Sequence, residues 1–469
     1  MKQEWRISIY LILILAVVYT LVLFVPFTWN PSNWQLRSDE QITIADLDTL
    51  DLDSSMIKPD TIVAEVIIED TIAEIDTVTT YLHLSCSTAF SKQLDKLQQT
   101  LLSSTTEGRN IRILHIGDSQ IEGDRITAYL RESFQQRFGG SGPGLATIYD
   151  PQKINPSIYI INKGDWKIHS IFNRKYRLPN HEYGIMGQAA SLKANSPGTF
   201  KISGSRWAEK HASYYQKVRL FIAPHKQTLQ IKGLIDDTEV INDSLAPSDA
   251  LTEINWEFEQ LSPQIKFDIS SNGDVHFLAC ALDSLCGVSV DNIALRGQSS
   301  PLLHRTNADL FKAMGEHLDI GMIIFQFGTN ILPTIAPNYH FYKVQLAKQF
   351  KLIKSLLPDV PVIIIGISDA AHVNNGQIEA YDHLSRIRDA QKAIALEYDF
   401  AFFDLFEAMG GKGSIIEWAN EDPPLALSDY IHFSRRGGKE VAGYLTEAIW
   451  LRFDGGIDND SINAKNILQ

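Results

Sequence analysis

The sequence predicts an α/β protein whose parallel sheet is covered by helices on both faces, with an inserted all-β sandwich and an N-terminal transmembrane helix. Three observations carry that reading. Short apolar runs alternate with amphipathic stretches over residues 111–138 and again over 319–453, the signature of strands feeding helices in a sheet buried on both sides. Between them, from about 151 to 285, the runs become short and are separated by Gly, Pro, Asn, Asp or Ser, as in a β-sandwich. Residues 7–27, "ISIYLILILAVVYTLVLFVPF", are apolar on every face and about as long as a bilayer-spanning helix.

Taken in order, the N-terminus comes first. Lys2 and Arg6 precede the apolar run, which holds that end in the cytoplasm and puts the body on the periplasmic or extracellular side. The run is long for a signal-peptide core, and "VPFTWNPSNW" offers no small-x-small cleavage site. An uncleaved single-pass anchor in the inner membrane is therefore the expectation. Residues 28–82 follow as an acidic tether. From Arg37 to Thr80, twelve acids face two bases, Arg37 and Lys58, so this segment carries ten of the fourteen net negative charges. Mutual repulsion extends such a chain.

A helix is expected from about Ser87 to Ser103. "IRILHI" (111–116) reads as a strand, and Asp124 to Phe138 as a helix. After the β-rich segment come a strand at 319–328, a helix at 341–357 and a strand at 360–367. A helix from about Ile378 to Tyr398, a strand at 400–405 and a closing helix at 438–453 complete the body. The body would thus be discontinuous, 83–150 with 286–455, interrupted by an insert of 151–285 and followed by a tail of 456–469. Trp166, Trp207 and Trp256 of the insert are candidate sugar platforms, although core packing is the commoner use of a tryptophan.

The bulk numbers exclude several classes. A chain of 469 residues suggests two or three domains, and a net charge of −14 argues against a general nucleic-acid binder. Cys86, Cys280 and Cys286 make no metal pattern and no disulfide framework. Cys280 and Cys286 could pair in an oxidising compartment, or stand as small buried thiols. "GGSGPG" (139–144) lacks the Gly-Lys-Ser/Thr of a phosphate loop and reads as a turn. No cofactor and no metal are expected.

Three pieces carry chemistry. Ser119, in "HIGDSQ", follows a strand and Gly117, so its hydroxyl would stand at the lip of the sheet beside free backbone N–H groups. In "LSDYIHFSRRGG" (427–438), Asp429 and His432 are three apart and can share a face. A carboxylate can then hold one imidazole nitrogen while the other faces a serine. "FQFGTN" (325–330) ends in Asn330, whose amide could donate to an oxyanion. Each piece alone is commonly structural: a turn, a helix cap such as Ser434, a loop asparagine.

Their order and spacing together resemble the SGNH (GDSL-type) hydrolases. That resemblance implies a flavodoxin-like α/β fold and a Ser119–His432–Asp429 triad. It also implies an oxyanion hole made by the Ser119 N–H, the Gly297 N–H (from "GVSVDNIALRGQSS", 287–300) and the Asn330 amide. Gln120 departs from the pattern, where many members have Leu, as does Ile331, where Asp is common. "HIGDSQIEGDRITAYLRESFQQRFGGSGPGL", "YGIMG" and "WANEDPPLALSDYIHFSRRGG" further resemble bacterial extracytoplasmic SGNH proteins acting on O-acetylated cell-wall or secreted glycans. The resemblance thus implies a glycan O-acetylesterase. The same triad would serve an O-acetyltransferase working with a membrane acyl-transfer partner, and the same fold a non-catalytic glycan-binding protein.

Overall fold

The computed structural model describes residues 82–455, apart from 152–154, 173 and 263. The expected membrane span, the acidic tether up to residue 81 and the tail of 456–469 lie outside the described residues. Among the described residues no helix is long and apolar enough to cross a membrane.

The central sheet has six strands: β1 (Leu84–Ser85), β2 (Asn110–Gly117), β3 (Gly287–Ala294), β4 (Ile320–Gln326), β5 (Val362–Ile365) and β6 (Ala401–Phe403). Their spatial order is β1-β6-β5-β4-β2-β3, parallel except for β1, which pairs antiparallel with β6. The five parallel strands, numbered among themselves, run 2-1-3-4-5. This is the flavodoxin-like order, whose ligands sit beyond the carboxyl ends of the strands.

Alternation along the strands divides the core. Ile111, Ile113, Met322 and Ile324 face helices α1 (Thr88–Ser103), α2 (Thr127–Phe138) and α6 (Arg435–Phe453). Leu114, Ile116, Ile323 and Phe325 face α3 (Ala308–Leu318), α4 (His340–Leu356) and α5 (Leu384–Glu397). Helix α1 shows why such segments form. Ser87 caps it by accepting the Phe90 N–H, and Phe90, Leu94, Leu97 and Leu101 bury one stripe. One expectation fails: the chain before α5 is a β-hairpin, Ala371–Asn374 with Gln377–Ala380, where helix was expected from about Ile378.

The β-rich segment builds two antiparallel sheets. One has five strands, with Leu229–Ile235, Gln264–Ser271 and Gly198–Gly204 at its centre. The other is led by Tyr215–Ile222 and Val275–Asp283. Phe200 and Phe267 of the first meet Trp166, Val218 and Phe277 of the second in one core. The second sheet is buried on its far side too, because Phe221, Ala279 and Ala281 pack into the same cluster as Phe311 and Met314 of α3. Gly144–Ala146, counted above with the body, pairs with Val275–Asp283. The "GGSGPG" glycines permit that approach: a Cβ on Gly142 would lie 2.1 Å from the Leu282 carbonyl oxygen. All three cysteines are free thiols, and burial pushes the Cys280 thiol up.

Candidate active site

Strand β2 ends in Gly117, where only glycine fits, since a Cβ there would lie 2.7 Å from the Gln326 carbonyl oxygen at the end of β4. Asp118, Ser119 and Gln120 then form a turn, followed by the 3₁₀ turn Glu122–Asp124 and α2. Asp124 adopts a left-handed φ of 54°. Arg131 holds it from two sides, Nη1 to Oδ2 at 2.7 Å and Nη2 to Oδ1 at 3.1 Å, both groups buried. The turn that carries Ser119 is thereby pinned to the first helix after it.

Ser119 and His432, 313 positions apart, meet: Oγ lies 2.8 Å from Nε2. His432 Nδ1 lies 2.7 Å from Asp429 Oδ2. A carboxylate only accepts, so Nδ1 carries the proton and Nε2 presents its lone pair to the serine. The other carboxylate oxygen of Asp429 accepts the backbone N–H groups of Ile431 and His432, each at 3.0 Å. Burial pushes this carboxyl up, but the hydrogen bonds from His432 and the two N–H groups outweigh it and hold it at about 2. Asp429 therefore caps the turn and orients the imidazole at once. The loop is anchored behind it, where buried Phe433 packs on Trp418 and Ser434 caps α6.

The candidate oxyanion donors follow adjacent strands. Ala294 of β3 and Gln326 of β4 both register with Gly117, so the turns holding Gly297 and Asn330 flank the one holding Ser119. Asn330 Nδ2 donates to the Gln298 carbonyl at 2.9 Å, tying those two turns together, and its amide has a second hydrogen to give. Neighbouring Thr329 donates to Asp118 Oδ2 at 2.7 Å. Among the described residues, the Ser119 and Gly297 N–H groups donate to no protein acceptor.

Two residues escaped the reading of the sequence. Gln120, noted there only as a departure, is 2 % exposed, and its Nε2 donates to the Ile431 carbonyl at 2.6 Å and to Ser368 at 3.2 Å. It bridges the residue after the nucleophile to the residue before the base, and its Oε1 is buried without a partner. The available signal was an amide where a strand-end turn calls for an apolar side chain. His115 lies beneath the site, fully buried, with Nδ1 2.9 Å from Thr127 Oγ1 and Nε2 3.2 Å from Gln326 Oε1. Burial lowers it to about 3, against the hydrogen bond to Gln326, so it is a neutral spacer joining β2, β4 and α2.

No family model matches the sequence, and no curated protein matches it. Solved structures do match. A peptidoglycan O-acetylesterase, captured in action, aligns at a TM-score of 0.60 and 19 % identity, covering 79 % of this chain and 99 % of that one. The chain is similar in fold to that esterase. A family two carbohydrate esterase from Cellvibrio japonicus aligns at a TM-score of 0.25 and 8 % identity, over 64 % of this chain and 98 % of that one. A GDSL-like lipase from Bacteroides thetaiotaomicron aligns at 0.25 and 16 %, over 34 % and 75 %. The fold argument rests on the first alone.

Proposed function

We propose that the protein is a membrane-anchored, extracytoplasmic serine esterase that removes O-acetyl groups from a cell-wall or secreted polysaccharide. The observation that carries the reading is the relay Ser119–His432–Asp429, with contacts of 2.8 and 2.7 Å. The glycan substrate is supported by the likeness in fold to a peptidoglycan O-acetylesterase, and the anchor by residues 7–27 of the sequence.

In this reading Ser119 Oγ attacks the acetyl carbonyl while His432 Nε2 takes its proton. The oxyanion forms among the Ser119 and Gly297 N–H groups and the free hydrogen of the Asn330 amide. His432 returns its proton to the departing sugar oxygen, leaving acetyl-Ser119. Water, deprotonated by His432, then attacks the acyl group and frees acetate and Ser119. The side chains of His432 and Asp429 are 28 % and 46 % exposed, which supports water as the second acceptor.

The test is acetate release by the purified full-length protein, first from 4-nitrophenyl acetate and then from O-acetylated peptidoglycan and secreted polysaccharides. Turnover should fall by about 10⁶-fold in Ser119→Ala. Wild-type turnover in that variant would overturn the reading. With an oligosaccharide acceptor present, transfer product exceeding free acetate would move the assignment to an O-acetyltransferase.

A further inference from the structure

Beside the triad, on the side of α6, the insert reaches back to the body. The loop between Gly198–Gly204 and Tyr215–Ile222 is held there by polar contacts. Arg435 Nη2 donates to the Trp207 carbonyl at 3.1 Å and to Glu209 Oε1 at 3.0 Å. His211 Nδ1 meets Glu132 Oε1 of α2 at 2.7 Å. Arg435 Nε also donates to the Tyr129 hydroxyl of α2 at 3.1 Å. Arg435 is three residues past His432, so the two Cα atoms are at most about 11 Å apart. On the α2 side, Arg125 Nη1 donates to the Ser119 carbonyl at 3.3 Å. The loop is therefore tied, through Arg435, to the helix whose first residue lies three positions past His432.

This loop presents Trp207 with 63 % of its surface in water. Trp166 and Trp256 of the same segment pack in the sandwich core. Arg206 lies over the Trp207 ring, 4.8 Å from its centroid. Lys439 and Arg435 share the Tyr129 ring, at 5.9 and 5.6 Å. Among the described residues neither Arg206, Arg436 nor Lys439 has a carboxylate within ion-pairing distance, and all three are exposed. The cations on α6 also run against helix electrostatics. Arg435, Arg436 and Lys439 sit in its first turns, where cations oppose the macrodipole, and the first turn has no acidic residue. A purely structural first turn would favour acids there. In a chain of net charge −14, this is a local surplus of positive charge next to an exposed aromatic ring.

We infer that this surface is a substrate subsite for a carboxylate-bearing sugar. The ring of the sugar stacks on the free face of Trp207, and its carboxylate meets Arg206 and Lys439. The inference rests on the esterase reading and adds to it the charge of the polymer. A uronic acid and a lactyl-ether sugar share this chemistry.

The experiment measures binding to the full-length Ser119→Ala protein by calorimetry. The probes are an oligogalacturonate hexamer, soluble muropeptides with free lactyl carboxyls or lactyl-linked peptides, and neutral cellohexaose and chitohexaose. At least one acidic probe should bind about tenfold or more tightly than the neutral ones, and lose that advantage in 0.5 M salt (about a 4 Å screening length). Added Trp207→Ala or Arg206→Gln should each weaken it by about tenfold, with Trp207→Phe restoring most of the loss. With Ser119 intact, Trp207→Ala and Arg206→Gln should leave 4-nitrophenyl acetate turnover unchanged, which also shows that both variants fold. Equal binding of acidic and neutral probes, indifference to either substitution, or equally tight binding of polyphosphate would overturn the subsite. Absence of 4-nitrophenyl acetate turnover in the wild type would instead overturn the esterase reading, whatever the binding data.

Discussion

Strand β2 is polar at both ends, and the two ends are built differently. At its start, Arg112 is fully buried, its Nη1 2.6 Å from Asp291 and its Nη2 bonded to Asp283. Asp291 also accepts the Leu145 N–H at 2.8 Å, and Asp283 accepts Ser289 at 2.8 Å. These groups face one another and tie the central sheet to the β-rich segment. At the other end, Ser119, Gly297 and Asn330 leave N–H groups unspent among the described residues. The first cluster is wholly buried, whereas at the second Gly297 and Asn330 are exposed. What separates a structural cluster from a reactive one is whether the donors are aimed inward at other protein groups or outward at a place a substrate can occupy.

The contrast can be broken at either end. Arg112→Met leaves two carboxylates buried without a cation and should cost about 3–5 kcal/mol, measured by urea unfolding, while turnover per folded molecule stays at the wild-type value. Loss of turnover without loss of stability would reverse the two roles. Asn330→Ala should do the opposite. Its kcat is expected to fall by about 10²–10³, equivalent to about 2.7–4 kcal/mol, with the urea midpoint nearly unmoved.

Gln120→Leu restores the residue common in the resembling hydrolases but deletes the bond to the Ile431 carbonyl. A loss of about 1–2 kcal/mol is expected in kcat, with KM for 4-nitrophenyl acetate unchanged. A variant that loses stability and keeps kcat would show that Gln120 only fills space. A further effect is read in pH. Unfolded His115 takes a proton below about 6.5, whereas in the folded protein it stays neutral down to about 3. The unfolded state therefore binds more protons across that window. His115 should contribute stability that is complete above about 6.5 and declines by up to about 1.4 kcal/mol per pH unit toward 3. Urea midpoints of His115→Gln at several pH values should show a correspondingly shallower decline.

Much of this was legible in the sequence because local and global signals agree. The run 111–116, the glycine after it and the amphipathic stretch beyond it specify strand, turn and helix without help from distant residues. Asp429 and His432 were readable as a pair because their spacing alone lets both side chains share a turn. The hairpin of 371–380 was missed although Asn375 and Gly376, with φ of 48° and 81°, form the two-residue turn that joins such strands. Strand Thr238–Leu245 gives a weak sequence signal for a related reason: it is polar at an exposed edge, and only the turn at Asp236 and Asp237 marks it. Gln188–Leu192 consists mostly of small buried residues with no alternation to detect. Trp207 could not be separated from Trp166 and Trp256, because what exposes it is the docking of its loop on Arg435, a contact 228 positions away.

The account stands on Ser119 being a nucleophile that His432 activates. Treating the full-length protein with a fluorophosphonate at neutral pH and mapping the adduct by peptide mass spectrometry tests this directly. The adduct should fall within residues 113–125, on Ser119, and its formation should slow by orders of magnitude in His432→Ala. An unlabelled Ser119, or labelling at the same rate without the imidazole, would contradict the account.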